Sequence, residues 1–109
     1  MPKNTVQAIE LFSIASSVLD VNYQAINEDG AEGACFLLRI TNDSTTNVTI
    51  SYNGLVDHDI VLPGDVLNIN AQTNSRPNNQ TCLFPKGQIV YAKGTAGTGT
   101  IYLTGYYQE

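Results

Sequence analysis

The C-terminal segment constrains the fold of this chain more than any other part of the sequence. An apolar run over 87–93 and a second run over 100–107 flank a connector, 94–99, that is rich in glycine and threonine. Both runs are rich in β-branched and aromatic residues, which favours two paired strands over a helix. The segment therefore predicts a hairpin within a sheet, and none of its residues carries obvious chemistry.

Elsewhere the apolar residues also recur with a period of two rather than 3.6. Apolar and polar side chains alternate over 19–25 and again over 48–52, which is typical of strands with one buried face. The almost continuously apolar run 35–40 predicts a central strand covered on both faces. Segment 5–17 fits either a helix or a strand, and we favour an N-terminal strand because every later element is predicted as a strand.

Turn residues separate these strands. Asn53-Gly54 is typical of a tight hairpin turn, because both residues tolerate positive φ. A strand over 59–62 would be the hairpin partner of 48–52 or the next strand. The Asn-, Pro- and Thr-rich segment 72–85 is predicted as the longest loop. Shorter breaks are predicted at 28–33, 42–47 and 63–65, and a further strand at 66–71.

The length and the strand pattern together indicate the architecture. A chain of 109 residues buries roughly two thirds of its unfolded surface, enough for one core, so we predict a single domain over 1–109. A sheet of this size must close or pack on another sheet to bury its apolar face. We therefore predict an all-β fold, a single antiparallel β-sandwich that is jelly-roll-like with about eight strands.

Composition and charge exclude several classes of partner. Only 14% of the residues are charged, the net charge is −5, and no basic cluster is present, so we expect no nucleic-acid partner. No apolar run approaches the roughly 20 residues that cross a bilayer, and the N-terminus lacks the apolar core of a signal peptide. We expect synthesis in a cytoplasm and no membrane partner.

Candidate catalytic and metal-binding residues are few. The Gly-rich connector 94–99 lacks the Lys-Ser/Thr pair and the following helix of a phosphate-binding loop. The single histidine lies in Asp57-His58-Asp59, which could orient an imidazole or hold a cation, although a solvated strand edge is the better interpretation. Cys35 is expected to be a buried thiol, and with Cys82 it cannot complete a zinc site. We predict no catalytic residues, no metal, no cofactor and no enzymatic activity.

Aromatic residues near the C-terminus are candidates for an interface. Tyrosine occurs six times and tryptophan is absent. Tyr106 and Tyr107 are adjacent on a predicted strand, so their side chains must point to opposite faces. Large amphipathic rings suit protein contacts, and the edge strands of a small sandwich favour covering by other copies. We predict a homo-oligomer with a possible interface at Tyr102, Tyr106, Tyr107 and Phe84.

The segments 48–54, 57–59, 84–87 and 97–107 together resemble small virion proteins of tailed bacteriophages, such as capsid-decorating and other head or tail proteins. This resemblance implies an all-β, non-enzymatic subunit located in the virion, whose partners are major capsid or other virion proteins. A carbohydrate-binding β-sandwich module is the alternative, because Asn, Asp and Tyr on loops also suit sugar hydroxyls and pyranose faces.

Overall fold

The computed structural model describes residues 6–31, 33–70 and 84–108, in which nine strands form two antiparallel sheets. A 3₁₀ turn, Ser16–Val18, is the helical element within these ranges. The first sheet contains β1 (Val6–Ala8), β2 (Phe12–Ala15), β4 (Cys35–Ser44), β7 (Val66–Asn70) and β9 (Gly99–Gln108). The second contains β3 (Gln24–Ala25), β5 (Val48–Ser51), β6 (Asp59–Val61) and β8 (Tyr91–Gly94).

The strand order is that of a jelly roll. In the first sheet, β1 and β2 pair with successive parts of β9: Ala8 lies opposite Tyr106, and Phe12 lies opposite Leu103. The two short strands therefore occupy one strand position at the edge of the sheet. The order is then β9, β4, β7, while the second sheet runs β3, β8, β5, β6. The chain passes from one sheet to the other at most connections. Two sheets of four strand positions confirm the predicted antiparallel sandwich of about eight strands.

The core lies between the two sheets. Leu38, Ile40 and Leu103 from the first sheet meet Val48 and Ile50 from the second, and all are at most 1% exposed. Full burial of a side chain of this size contributes about 1.5–3 kcal/mol. The alternation of buried and exposed residues along the central strands therefore accounts for the packing of the sandwich.

The predicted C-terminal hairpin is wrong. β8 pairs with β3 and β5 in the second sheet, whereas β9 pairs with β4, β1 and β2 in the first. The connector crosses between the sheets, and Gly99 enters β9 at a φ of +115°. An added Cβ there would lie 2.1 Å from the carbonyl oxygen of Asp43, so this close approach requires glycine. β9 has ten residues, and the strands of the first sheet pair with more of them than the four residues of β8 could.

Other elements agree with the sequence in part. The N-terminal strand is confirmed by β1 and β2, and β4 is central, although Leu37 and Arg39 on its outer face are partly exposed. The predicted strand over 19–25 is reduced to Gln24–Ala25, because Asp20 Oδ1 accepts the Asn22 N–H and bends the chain. β4 continues to Ser44, through half of the predicted loop at 42–47.

The Asn53-Gly54 hairpin joins the expected strands through a longer loop. β5 pairs with β6, with Ile50 opposite Asp59, but residues 52–58 connect them rather than a two-residue turn. The turn at 63–65 and the strand after it are confirmed, with Gly64 at a φ of +80°. Most of the predicted loop 72–85 lies outside the described residues, as does Cys82.

Candidate interaction surfaces

In the described part of the chain, the sandwich has two edges at which both sheets end. The turn 62–65 joins β6 to β7, so the outer strand of each sheet lies beside the other. At the opposite edge, segment 16–23 joins β2 to β3 in the same way. We call residues 59–70 the β6–β7 flank and residues 11–25 the β2–β3 flank. Among residues 6–31, 33–70 and 84–108, the outer strands of each flank have a strand neighbour on one side only, and on the other side they present backbone N–H and C=O groups.

Exposed apolar side chains concentrate on these flanks. Val21 on the β2–β3 flank is 86% exposed, and Ile60 on the β6–β7 flank is 57% exposed. Neither flank contains a lysine or an arginine, the residues that commonly protect edge strands from pairing. Within the described ranges, the large exposed apolar residues are Leu11, Val18 and Val21 on one flank, Ile60, Leu62 and Val66 on the other, and Leu55 and Val56 on loop 52–58.

A buried asparagine fixes the geometry of the β6–β7 flank. The Asn42 side chain is inaccessible to solvent, and its Nδ2 donates to the carbonyl oxygens of Thr46 at 2.9 Å and of Val61 at 2.8 Å. Its Oδ1 accepts the hydroxyl of Ser44. Because Val61 belongs to β6, this amide ties the two sheets together. The flank therefore rests on a polar group whose hydrogen bonds are satisfied.

Asn42 lies in the segment 42–47 that was predicted as a polar loop. The sequence does place Asn42 two residues after Ile40 and four after Leu38, so in a strand all three side chains point to the same, inward face. A buried side-chain amide requires hydrogen-bond partners for both its NH₂ group and its oxygen. The acceptors of its Nδ2 are backbone groups outside β4, which sequence spacing does not show.

The predicted interface residues divide between two environments. Tyr102 and Tyr106 lie on the outer face of the first sheet, since Ile101, Leu103 and Gly105 between and beside them face the core. Tyr107 packs inward instead, against the core and Gly33. Phe84 also packs on the core, with its ring centroid 6.4 Å from that of Tyr52. The prediction that Tyr106 and Tyr107 face opposite ways is confirmed.

The structure gives each member of Asp57-His58-Asp59 separate partners. Asp57 accepts hydrogen bonds from Tyr23 Oη, and its carboxylate lies 2.9 Å from Lys93 Nζ. Asp59 Oδ2 accepts the Tyr52 hydroxyl at 2.7 Å. His58 Nδ1 accepts the backbone N–H of Tyr52 at 3.0 Å, and the two rings stack with centroids 5.4 Å apart. All three side chains therefore hold the loop and its neighbouring strands together.

These contacts shift the pKa values of the groups involved. The hydrogen bond from Tyr23, followed by that from Lys93, lowers the pKa of Asp57, and the same carboxylate raises the pKa of Tyr23. Burial and then the hydrogen bond to Asp59 raise the pKa of Tyr52 well above its usual value. Lys93 Nζ also lies 4.5 Å from the centroid of the Tyr23 ring, a cation–π contact.

The remaining candidate residues, Cys35 and the Gly-rich connector 94–99, have structural roles. Cys35 is inaccessible to solvent, as predicted, and its Sγ lies 3.6 Å from the carbonyl oxygen of Gly33. The Gly-rich connector leads into strand β9, as expected of a turn rather than a phosphate-binding loop. The described ranges contain no group of three His, Cys, Asp or Glu residues placed to hold a metal. No helix in them is long and apolar enough to span a membrane.

The fold defines a jelly-roll β-sandwich, and comparison with known proteins supports this class. No protein family and no curated protein matches the sequence. Among solved structures, a protein of Bacillus endospore appendages, described as a family of disulfide-linked pili, has a TM-score of 0.53 at 15% identity. The match covers 98% of this chain and 91% of that chain.

Two further solved structures match more loosely. One is PirA, with a TM-score of 0.38 and 14% identity over 100% of this chain and 95% of that one. The other is a cupin superfamily protein from Desulfitobacterium hafniense, with a TM-score of 0.37 and 17% identity over 99% of this chain and 81% of that one. At 15% identity, the similarity to the appendage protein concerns the fold alone. We draw no conclusion from the two structures with TM-scores below 0.5.

Proposed function

We propose that this protein is a non-catalytic structural subunit that assembles with further copies of itself through its two flanks. The observation that carries the proposal is the concentration of exposed apolar side chains on both open edges of the sandwich. An open edge with apolar side chains and no basic residue is a template for pairing with another chain. A second copy offers the same combination of apolar surface and free backbone groups.

The two flanks differ in sequence and lie on opposite sides of the strand order. A contact between the β6–β7 flank of one copy and the β2–β3 flank of the next is therefore heterologous. Such contacts generate a ring if the rotation between copies closes, and a filament if it does not. Because each contact leaves one free flank at either end, the same surface pair can be used repeatedly.

The comparisons and the sequence suggest two settings for such an assembly. The appendage protein that shares this fold belongs to pili, which are assemblies of many subunits. The resemblance to small virion proteins suggests instead a phage particle, with major capsid or other virion proteins as partners. A location on a phage particle stays a prediction, and so does the more specific role of capsid decoration.

Sedimentation velocity of the purified chain tests the proposal. The double variant Ile60→Lys and Val66→Lys adds two charges to the β6–β7 flank, and we expect it to sediment as a monomer at concentrations where the wild type associates. Asn47→Lys with Thr95→Lys is the matched control, since it adds the same charge at exposed sites outside both flanks. Circular dichroism verifies that all three chains keep their sheet content.

Two results would contradict flank assembly. A wild-type chain that remains monomeric at high concentration would show that its flanks do not associate. Equal association of the flank variant and the wild type would show that copies meet through another surface.

Carbohydrate binding is a second candidate, favoured by the outer face of the first sheet. Tyr102 lies between Ser13 and Thr41 in register, and Tyr106 lies between Ala8 and Leu37. Partly exposed aromatic rings suit pyranose faces, and the hydroxyl side chains on either side of Tyr102 suit sugar hydroxyls. Glycan-array binding that is lost in Tyr102→Ala and Tyr106→Ala would support this function, and an array without bound glycans would remove it.

A further inference from the structure

Loop 52–58 combines an ordered base with an apolar tip. Leu55 is 79% exposed and Val56 is 54% exposed, although the backbone N–H groups of both donate to Asn53 Oδ1, at 2.8 and 3.3 Å. Ser51 Oγ accepts the Gly54 N–H at 2.9 Å. These local bonds shape the tip. Attachment of the loop to the sandwich depends on other contacts at its base.

His58 makes the central contact at that base. Its backbone N–H donates to the carbonyl oxygen of Ile50 at 2.9 Å, and its Nδ1 accepts the backbone N–H of Tyr52 at 3.0 Å. The imidazole thus joins the end of the loop to its beginning. An acceptor Nδ1 requires a ring that carries its single proton on Nε2.

We propose that His58 is a pH-sensitive latch, which holds loop 52–58 and its exposed Leu55 and Val56 in one conformation only while the imidazole is neutral. Protonation turns Nδ1 into a donor, so that it faces the N–H of Tyr52 with like polarity and the bond is lost. The base of the loop then opens, and the apolar tip is no longer presented in one orientation. A partner that recognises the tip would bind the neutral form.

Other titratable and charged groups surround the imidazole. Asp57 precedes it on the loop and is held by Tyr23 of the segment before β3 and Lys93 of β8. Asp59 follows it on β6 and accepts the hydroxyl of Tyr52, whose ring stacks on the imidazole. Because Tyr23 and Lys93 lower the pKa of Asp57, that carboxylate keeps its charge over the range in which an imidazole titrates. The charge of Asp57 therefore does not account for opening in this range.

The negative carboxylates attract an imidazolium, whereas the Tyr52 N–H requires neutral imidazole. The two influences act on the same ring in opposite directions. Protonation therefore moves the ring from the backbone N–H toward a carboxylate, which is a change of partner rather than a simple loss. This exchange of partners is the physical basis of the latch.

Amide hydrogen exchange measured by NMR tests the latch at the N–H of Tyr52. Between about pH 8 and pH 5.5 we expect the protection factor of this amide, corrected for intrinsic rate, to fall toward its value in His58→Ala. His58→Asn places a non-titrating oxygen in the position of Nδ1, and we expect protection at both pH values. His58→Ala removes the acceptor, and we expect low protection at both.

Two outcomes would overturn the latch. One is a protection factor of the Tyr52 amide that stays constant with pH in the wild type. The other is an equal loss of protection at low pH in His58→Asn, which would assign the opening to a carboxylate. The amide of Ile40, in β4 between β7 and β9 and away from the loop, reports on global unfolding and should stay protected in every variant.

Discussion

Adjacent tyrosines at the end of β9 have different physical roles. Tyr107 packs against the core, and its ring occupies the space beside Gly33, where an added Cβ would lie 2.6 Å from the ring. Tyr106 lies on the outer face of the first sheet, opposite Ala8 and Leu37. The same side-chain type at neighbouring positions therefore allows a matched comparison.

We expect Tyr107→Ser to lower the free energy of unfolding by about 2–4 kcal/mol, because it removes a ring from the core and leaves a cavity. Tyr106→Ser should lower it by less than about 1 kcal/mol, because its outer face keeps no core contact. Urea denaturation followed by circular dichroism measures both values. Equal losses in the two variants would contradict the assignment of opposite faces.

For Asp57-His58-Asp59, the sequence identified the residues but not the groups to which they hydrogen-bond. Asp57-His58-Asp59 was recognisable because the chain has a single histidine. The partners of Asp57 are Tyr23, from the segment before β3, and Lys93 of β8. These long-range contacts depend on the strand order, which local spacing does not contain. The contact between His58 and the Tyr52 N–H is local, but it depends on the conformation of loop 52–58.

At the level of elements, the connection between β4 and β6 depends on one buried amide. Asn42 bonds Val61 of β6 and the carbonyl oxygen of Thr46 in the turn that follows β4. Removal of its side chain takes this donor from the buried carbonyl of Val61 and leaves the partly buried carbonyl of Thr46 with the Ser44 hydroxyl. This junction therefore supports the flank that we propose for assembly.

Asn42→Ala should lower the free energy of unfolding by about 1–3 kcal/mol, the cost of a buried polar group that loses its partner, here the carbonyl of Val61. Asn47→Ala is the control, because Asn47 is exposed, and its effect should stay within about 0.5 kcal/mol. Thermal and urea unfolding measure both variants. A small effect at Asn42 would show that its hydrogen bonds do not hold the two sheets together.

Strand identity was predictable from alternation, and strand pairing was only partly so. The period of two located β5 and β7, because each has one face on the core, whereas the apolar run 35–40 located β4. The hairpin between β8 and β9 was inferred from closeness in sequence, but the jelly roll sends consecutive strands to different sheets. The crossing depends on Gly99 and on the partners of β9, which become visible only when the whole sheet is assembled.

At the scale of the whole molecule, the exposed apolar side chains lie where the sheets end. The strand order places β7 and β6 at one side and β2 and β3 at the other, each without basic residues. The sequence predicted edges and an oligomer with a possible interface at aromatic residues, and this interface stays a prediction. The assembly that we propose uses the exposed aliphatic side chains of the two flanks instead.

Site-specific cross-linking tests the contact between unlike flanks most directly. Two populations would be prepared in a Cys82→Ser background, one with Val21→Cys on the β2–β3 flank and one with Val66→Cys on the β6–β7 flank. Buried Cys35 stays in place in both, because it is inaccessible to solvent. A short bismaleimide is added to each population alone and to their mixture, and linked peptides are identified by mass spectrometry.

We expect the mixture to give a cross-link between positions 21 and 66, and each population alone to give little cross-linked product, because a heterologous contact joins unlike flanks. Cross-linking between two copies of position 66 at the same yield as in the mixture would contradict this arrangement, as would no cross-linking at concentrations where the wild type associates.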